Sequence, residues 1–241
     1  MDRSIYPLMA KIENQHWWFV ARRRILNNVL KELHLSPDAE ILEAGCGTGG
    51  NLTMLREYGK VFAMELDQTA REFAAKYNFA EVLQGSLPHS IPFGNKCFDL
   101  IVLFDVLEHL IDDAASLQAL RSRLKKNGKM LITVPAYPFL WGHHDEEHHH
   151  FRRYVRSGLK NIVAGAGYKV QYVSYFNFIL FPLLLASRTI NRGHSYNELD
   201  IPPAWLNKLL TSIFSGERHA IGRLGFPFGS SIILLAEKHD S

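Results

Sequence analysis

The strongest constraint on this chain is the run Ile41-Leu42-Glu43-Ala44-Gly45-Cys46-Gly47-Thr48-Gly49-Gly50. Apolar residues lead into a carboxylate, the chain turns through four glycines, and a helical pattern begins near Asn51. Strand, glycine turn and helix in that order offer close backbone approach and the free N–H groups of a helix start. Such a unit suits a nucleotide-like ligand.

The glycines alone leave the ligand open. Gly45, Gly47 and Gly50 satisfy the GxGxxG spacing of dinucleotide-binding folds, so an NAD-dependent oxidoreductase is one reading. Glu43 argues against it. Expected at the strand end and facing the space before the turn, its carboxylate would repel a pyrophosphate and attract a cationic ligand. A second apolar strand, Val61 to Met64, ends at Glu65, twenty residues after Gly45. That is the offset of an acid that accepts hydrogen bonds from ribose hydroxyls. Asp67 is expected to cap the next helix, whose Ala70, Phe73, Ala74 and Tyr77 share a face.

Written Glu-x-Gly-x-Gly-x-Gly, the residues Glu43, Gly45, Gly47 and Gly49 resemble the first motif of class I S-adenosylmethionine-dependent methyltransferases. The stretch from Phe98 to Leu110, with Asp105, Glu108 and His109 at its exit, resembles that family's fourth strand. The opening His16-Trp17-Trp18-Phe19-Val20-Ala21-Arg22-Arg23 is similar to a broad, poorly characterised subgroup with a type 11/12-like domain, over most of the chain. The resemblance implies S-adenosylmethionine as cofactor, lined by Glu43, Gly45, Gly47, Gly49, Glu65, Leu66, Ser86 and Leu87, with Asp105 at the mouth. Relatives often carry an acid where this chain has Ser86, so its adenine contact would lack charge assistance. A non-catalytic module that binds S-adenosylmethionine or a membrane is the further alternative.

At 241 residues, one α/β domain with an appended cap fits best. Strands are expected near Val82-Leu83, from Phe98, over Met130 to Val134, over Tyr168 to Val173, and over Ser230 to Ala236. The count agrees with a Rossmann-like, seven-stranded sheet whose last strand is antiparallel, as in the family resembled. Ala114, Leu117, Leu120 and Leu124 form a helical stripe, expected to run to Lys125-Lys126 and stop at Asn127-Gly128. The expected layout is a single N-terminal lid helix over 1–36, a cofactor-binding core over 37–175, a helical cap over 176–228 and the last strand with its tail over 229–241. The N-terminal helix would place Ile12, His16, Phe19, Leu26, Leu30 and Leu33 on one side.

The acceptor side is expected in His143-His144-Asp145-Glu146-Glu147-His148-His149-His150-Phe151-Arg152-Arg153-Tyr154, after Tyr137 and Trp141. A histidine beside a carboxylate can take a proton from a hydroxyl or amine, which makes His144 and His150 the candidate bases and His109 the reserve. Arg152 and Arg153 could hold an acidic group by paired hydrogen bonds, with Tyr137, Trp141 and Tyr154 lining the pocket. The alternative is a hydrogen-bonded wall in which the arginines pair with Asp145 or Glu146. His144 and His148 share a helical face, as do Asp145 and His149, but the run supplies no distant third ligand, so no metal ion is assigned to it.

The net charge of +3 and the lack of a basic run argue against nucleic acid. Two cysteines, Cys46 and Cys97, read as reduced thiols, and the first residues lack a signal-peptide pattern, so a cytoplasmic location is expected. The apolar stretch from Tyr175 to Ala186 is too short to span a bilayer and is interrupted by Pro182. It is expected to be a buried cap helix; the alternatives are a wall for an apolar acceptor, or a patch over 175–192 that rests on a membrane. The partner expected from all this is a small-molecule methyl acceptor, apolar or acidic; the oligomeric state is left open.

Overall fold

The computed structural model describes residues 5–190 and 200–239. Two helices open the chain, α1 (Ile5–Ile12) and α2 (Trp17–Glu32). The single N-terminal helix expected from the periodicity is therefore broken: His16 is extended, and its ring accepts from Trp18 N at 3.3 Å as the cap of α2. Then come β1 (Glu40–Ala44), α3 (Leu52–Arg56), β2 (Lys60–Glu65), α4 (Gln68–Ala74), β3 (Glu81–Gln84) and β4 (Phe98–Phe104). The second half runs through α5 (Asp113–Ser122), β5 (Leu124–Pro135), α6 (His143–Glu147), α7 (Arg156–Gly165) and β6 (Tyr168–Phe176). It ends with α8 (Phe181–Ile190), α9 (Ala204–Gly216) and β7 (Ser231–Lys238).

The seven strands form one sheet in the order β3-β2-β1-β4-β5-β7-β6. β1 to β5 pair in parallel, and β7 lies antiparallel between β5 and β6, as expected. The central strands are apolar through most of their length because helices cover both faces. Ile41, Leu42 and Ala44 of β1 and Leu100 to Leu103 of β4 are fully buried. One face packs Leu42, Phe62, Ile101 and Ile132 against α5 and α7; the other packs Ile41, Val61, Val102 and Ile233 against α2 and α9.

Two local expectations are corrected. Asp67 caps α4 as expected, accepting from Thr69 N and Ala70 N, but the helix ends at Ala74 and leaves Tyr77 outside it. Helix α5 ends at Ser122, so Lys125 to Gly128 do not stop a helix; they form an irregular entry to β5, with Asn127 at φ +60°. Burying Leu124 opposite Phe98 wins over continuing the helix, and Lys125 reaches Asp99 at 2.8 Å and Glu40 at 3.2 Å.

The cap is helical among the described residues, but not one buried helix. Phe181 is buried, whereas Ile179 and Leu183 are 51% and 65% exposed. Residues 191 and 192 of the apolar patch lie outside the described residues. Glu217 ties the cap to the end of β6 by accepting from Asn177 N at 2.7 Å and Ile179 N at 3.0 Å. Phe214 of α9 stacks on Phe176 and meets Trp17 edge-on at 6.1 Å. Phe214→Ala should cost about 3–5 kcal/mol by opening a cavity where cap, sheet and α2 meet. Urea unfolding at equilibrium checks this; a loss below about 1 kcal/mol would mean that the cap folds apart from the sheet.

Candidate functional site

The strand order reverses between β1 and β4, and ligands of open parallel sheets bind outside the carboxyl ends of the strands at such a point. The turn after β1 carries Gly45, Gly47 and Gly49 at φ +79°, +54° and +91°, conformations that side chains disfavour. A Cβ at Gly45 would lie 2.8 Å from Val106 Cγ2, while one at Gly47 would meet nothing within 4 Å. The first glycine packs the turn on the β4 exit; the second opens its backbone to a ligand. Gly47 N donates to Glu65 Oε2 at 2.9 Å, so the carboxylate at the end of β2 stands directly across the turn. The other oxygen of Glu65 accepts from Leu66 N and Asp67 N at 2.8 and 3.0 Å, and the Leu66 side chain is exposed beside it.

Glu43 does not face the open space, which corrects the electrostatic argument made from its position. It is buried beneath the turn, where Asn51 Nδ2 donates to Oε1 at 2.8 Å and Oε2 has no partner. Burial pushes its pKa up to about 8, outweighing the bond from Asn51. Glu43 fastens the strand end to the start of α3. Ser86 and Leu87 follow β3, where Ser86 and Ser90 exchange backbone hydrogen bonds of 2.7 and 2.8 Å and Leu87 packs on the core.

Asp105 ends β4 in a left-handed conformation, φ +58°, and accepts from Thr133 Oγ1 at 3.1 Å. Its other oxygen pairs with Arg22, a buried residue of α2 whose guanidinium lies over the Trp18 ring at 4.7 Å. Glu13, between α1 and α2, accepts from Thr48 Oγ1 of the glycine turn at 2.6 Å. The N-terminal helices thus grip both the turn and the mouth of the site. Neither Arg22 nor Glu13 was among the residues expected to matter; the apolar residues around them carried the only periodic signal.

On the acceptor side, helix α6 gathers the histidine-rich segment. His144 and His148 do share a face, with ring centroids 4.1 Å apart. Asp145 turns to His150 rather than His149: it is buried, accepts from Gly142 N at 2.9 Å and Arg153 Nε at 2.7 Å, and lies 2.8 Å from His150 Nδ1. Burial opposes its charge, but these bonds hold the carboxyl well below its usual range. Arg152 pairs with Asp113 at 2.8 Å and donates to Ile111 O. Arg153 thus meets Asp145, a partner the wall reading named, whereas Arg152 pairs with Asp113 instead of Asp145 or Glu146. Tyr154 is part of that wall, its hydroxyl 2.8 Å from Asp113 and its body buried. Tyr137 stacks on Tyr175 and touches Phe139 and Phe181, and Trp141 is exposed beside them.

His109 packs edge-on against His150, ring centroids 4.6 Å apart. Burial, then the neighbouring His150, lowers its pKa to about 3, so the imidazole is neutral near pH 7 and a weak base.

A methyltransferase-domain family model matches residues 15–173. A Mycobacterium tuberculosis protein named as a probable S-adenosylmethionine-dependent methyltransferase is 28% identical over 126 residues, 52% of this chain and 44% of the relative. A protein of that name from Mycolicibacterium smegmatis is 26% identical over the same share of this chain and 48% of its own. The chain thus spans about half the length of the curated relatives it matches. Among solved structures, a chain of the complex between the Haloferax volcanii Trm112 methyltransferase activator and a methyltransferase superposes with TM-score 0.64 at 16% identity, covering 99% of this chain and 98% of that one. Haemonchus contortus phosphoethanolamine N-methyltransferase 2, solved with S-adenosyl-L-methionine, gives 0.58 at 14% identity over 88% of this chain and 51% of that one.

Glu43 offers a direct test of the site's electrostatics. Its folded pKa lies above the unfolded value, so its contribution to stability is complete below pH ~4.5 and declines as pH rises toward about 8. Glu43→Gln should remove that slope and gain on the wild type between pH 5 and pH 8; parallel urea titrations at the two pH values would read it, and equal slopes would show Glu43 ionised in the fold. The glycine turn, the Glu65 carboxylate and the matched residues together establish that this chain belongs to the methyltransferase-domain family, with the fold of class I S-adenosylmethionine-dependent enzymes.

Proposed function

We propose that this chain transfers a methyl group from S-adenosylmethionine to a small, largely apolar acceptor. The observation that carries the reading is Gly47 N–H on Glu65 Oε2 at the sheet's switch point, inside the matched domain. When bound, the cofactor supplies an electrophilic methyl group on a sulfonium. Glu65 accepts from the ribose hydroxyls, the open backbone at Gly47 admits close approach, and Ser86 and Leu87 take the adenine side. Asp105, held by Arg22 and Thr133, closes the mouth next to the methyl donor.

An apolar acceptor is favoured by the aromatic group of Tyr137, Phe139, Tyr175 and Phe181, and by the engagement of Arg152 and Arg153 elsewhere. Much of the rate comes from collinear placement of donor and acceptor at about 3 Å, so the reading does not depend on a strong base. The imidazoles of His109, His144 and His150 supply lone pairs at that end of the site.

Titration calorimetry tests the cofactor. S-adenosylmethionine should bind the wild type and NADH should give no heat; NADH alone binding would overturn the proposal. Glu65→Ala removes charge-assisted hydrogen bonds and should weaken S-adenosylmethionine by about 10- to 100-fold. Unchanged affinity in a folded variant would place the ribose elsewhere.

A further inference from the structure

The chemistry of the Glu108, His109 and His150 cluster is not absorbed by the cofactor site. Glu108 follows β4 in a short 3-10 turn and is fully buried, yet neither carboxylate oxygen meets a hydrogen-bond partner from another residue. One ligand-capable atom from each of Glu108, His109 and His150 lies within 4.8 Å of the other two. His150 is also oriented from behind. Its Nδ1 is engaged by Asp145 at 2.8 Å, which leaves Nε2 for the cluster. A carboxylate partner behind the imidazole is a usual support of a metal-binding histidine. The segment's lack of a distant third ligand, noted from the sequence, is met by Glu108 and His109 across the fold.

We propose that Glu108, His109 and His150 bind one divalent first-row transition metal of the zinc class at the acceptor end of the site. Two imidazoles and a carboxylate are a borderline donor set with at least one coordination position open. Ligands at 2.0–2.1 Å in a tetrahedron stand roughly 3.3 Å apart, so atoms within 4.8 Å of one another need close by at most about 1.5 Å. Both oxygens of the buried Glu108 are open to such an ion. His148 is buried nearby, its ring centroid 6.0 Å from that of His150, and is not part of the cluster. The open position would take an oxygen of the methyl acceptor; that last point rests on the methyltransferase reading, whereas binding of the ion does not.

Tag-free, full-length protein stripped of metal should be dialysed against Zn2+ or Co2+ and assayed by elemental analysis and Co2+ absorption. The expected result is one ion per chain, with binding weakened at least 10-fold in Glu108→Gln and in His150→Asn but unchanged in His143→Ala, an exposed neighbour paired with Glu147. Glu108→Gln removes no hydrogen bond from another residue, so it should fold; its thermal midpoint should lose the rise that Zn2+ gives the wild type. Failure of both ions to bind the wild type, binding that survives Glu108→Gln, or binding abolished by His143→Ala would overturn the site. S-adenosylmethionine titration of the same Glu108→Gln sample separates the two readings: retained cofactor affinity with lost metal belongs to the ion site alone, and metal bound without cofactor overturns only the methyltransferase reading.

Discussion

The register of β1 against its two neighbours is the constraint on which the site depends. Ala44 pairs with Met64 on one side, and Glu43 pairs with Val102 on the other. Those ladders bring the ends of β1, β2 and β4 to one edge of the sheet, and so bring together Gly45, Glu65 and Asp105, residues spread over sixty positions of sequence. Because the strands are buried on both faces, a shift in register would misalign close-packed side chains on both sides. The position of these three groups is therefore fixed by packing remote from them.

The same logic explains which parts of the structure were legible in the sequence. Long apolar runs bounded by glycine or charge, such as Ile101 to Phe104 and Met130 to Val134, have no other way to be buried, and each is a strand. The glycine turn was legible because its backbone angles demand those residues. The helix boundaries were not. The apolar stripe continues from Ile12 to His16 and Phe19 although the helix breaks between them, since both halves of the break pack inward. Lys125-Lys126 suits a helix end and a strand entry equally well in sequence; the burial of Leu124 opposite Phe98 decides, and Lys125 then reaches Asp99 and Glu40.

Side-chain partnerships across the fold were the least legible. Nothing near Arg22 in sequence points to Asp105, 83 residues away, or near Glu13 to Thr48. Glu43 was misplaced for a related reason: a carboxylate at a strand end reads as solvent-facing, but the turn that follows folds back over it. Asn51, eight residues on, then supplies its single bond. The N-terminal segment was expected as one lid helix, and neither its break at His16 nor the polar contacts from Glu13 and Arg22 were legible in the sequence.

Two carboxylates less than forty residues apart show how unevenly the acceptor side treats buried charge. Asp145 has a guanidinium, an imidazole and a backbone amide around it, and its ionised form is favoured. Glu108 is buried as deeply, and burial followed by the nearby Asp105 raises its pKa well above the ordinary value. A buried carboxyl without partners is costly whether it is charged or neutral, and an apolar residue of similar size would cost less. The wall around it is otherwise well satisfied: Tyr154, Arg152 and Arg153 all find acceptors, and Phe151 N donates to Glu108's own carbonyl at 2.8 Å. Among the described residues Glu108 is the buried carboxylate with neither oxygen partnered, close to two imidazoles, and that is where the proposed cation would complete the wall.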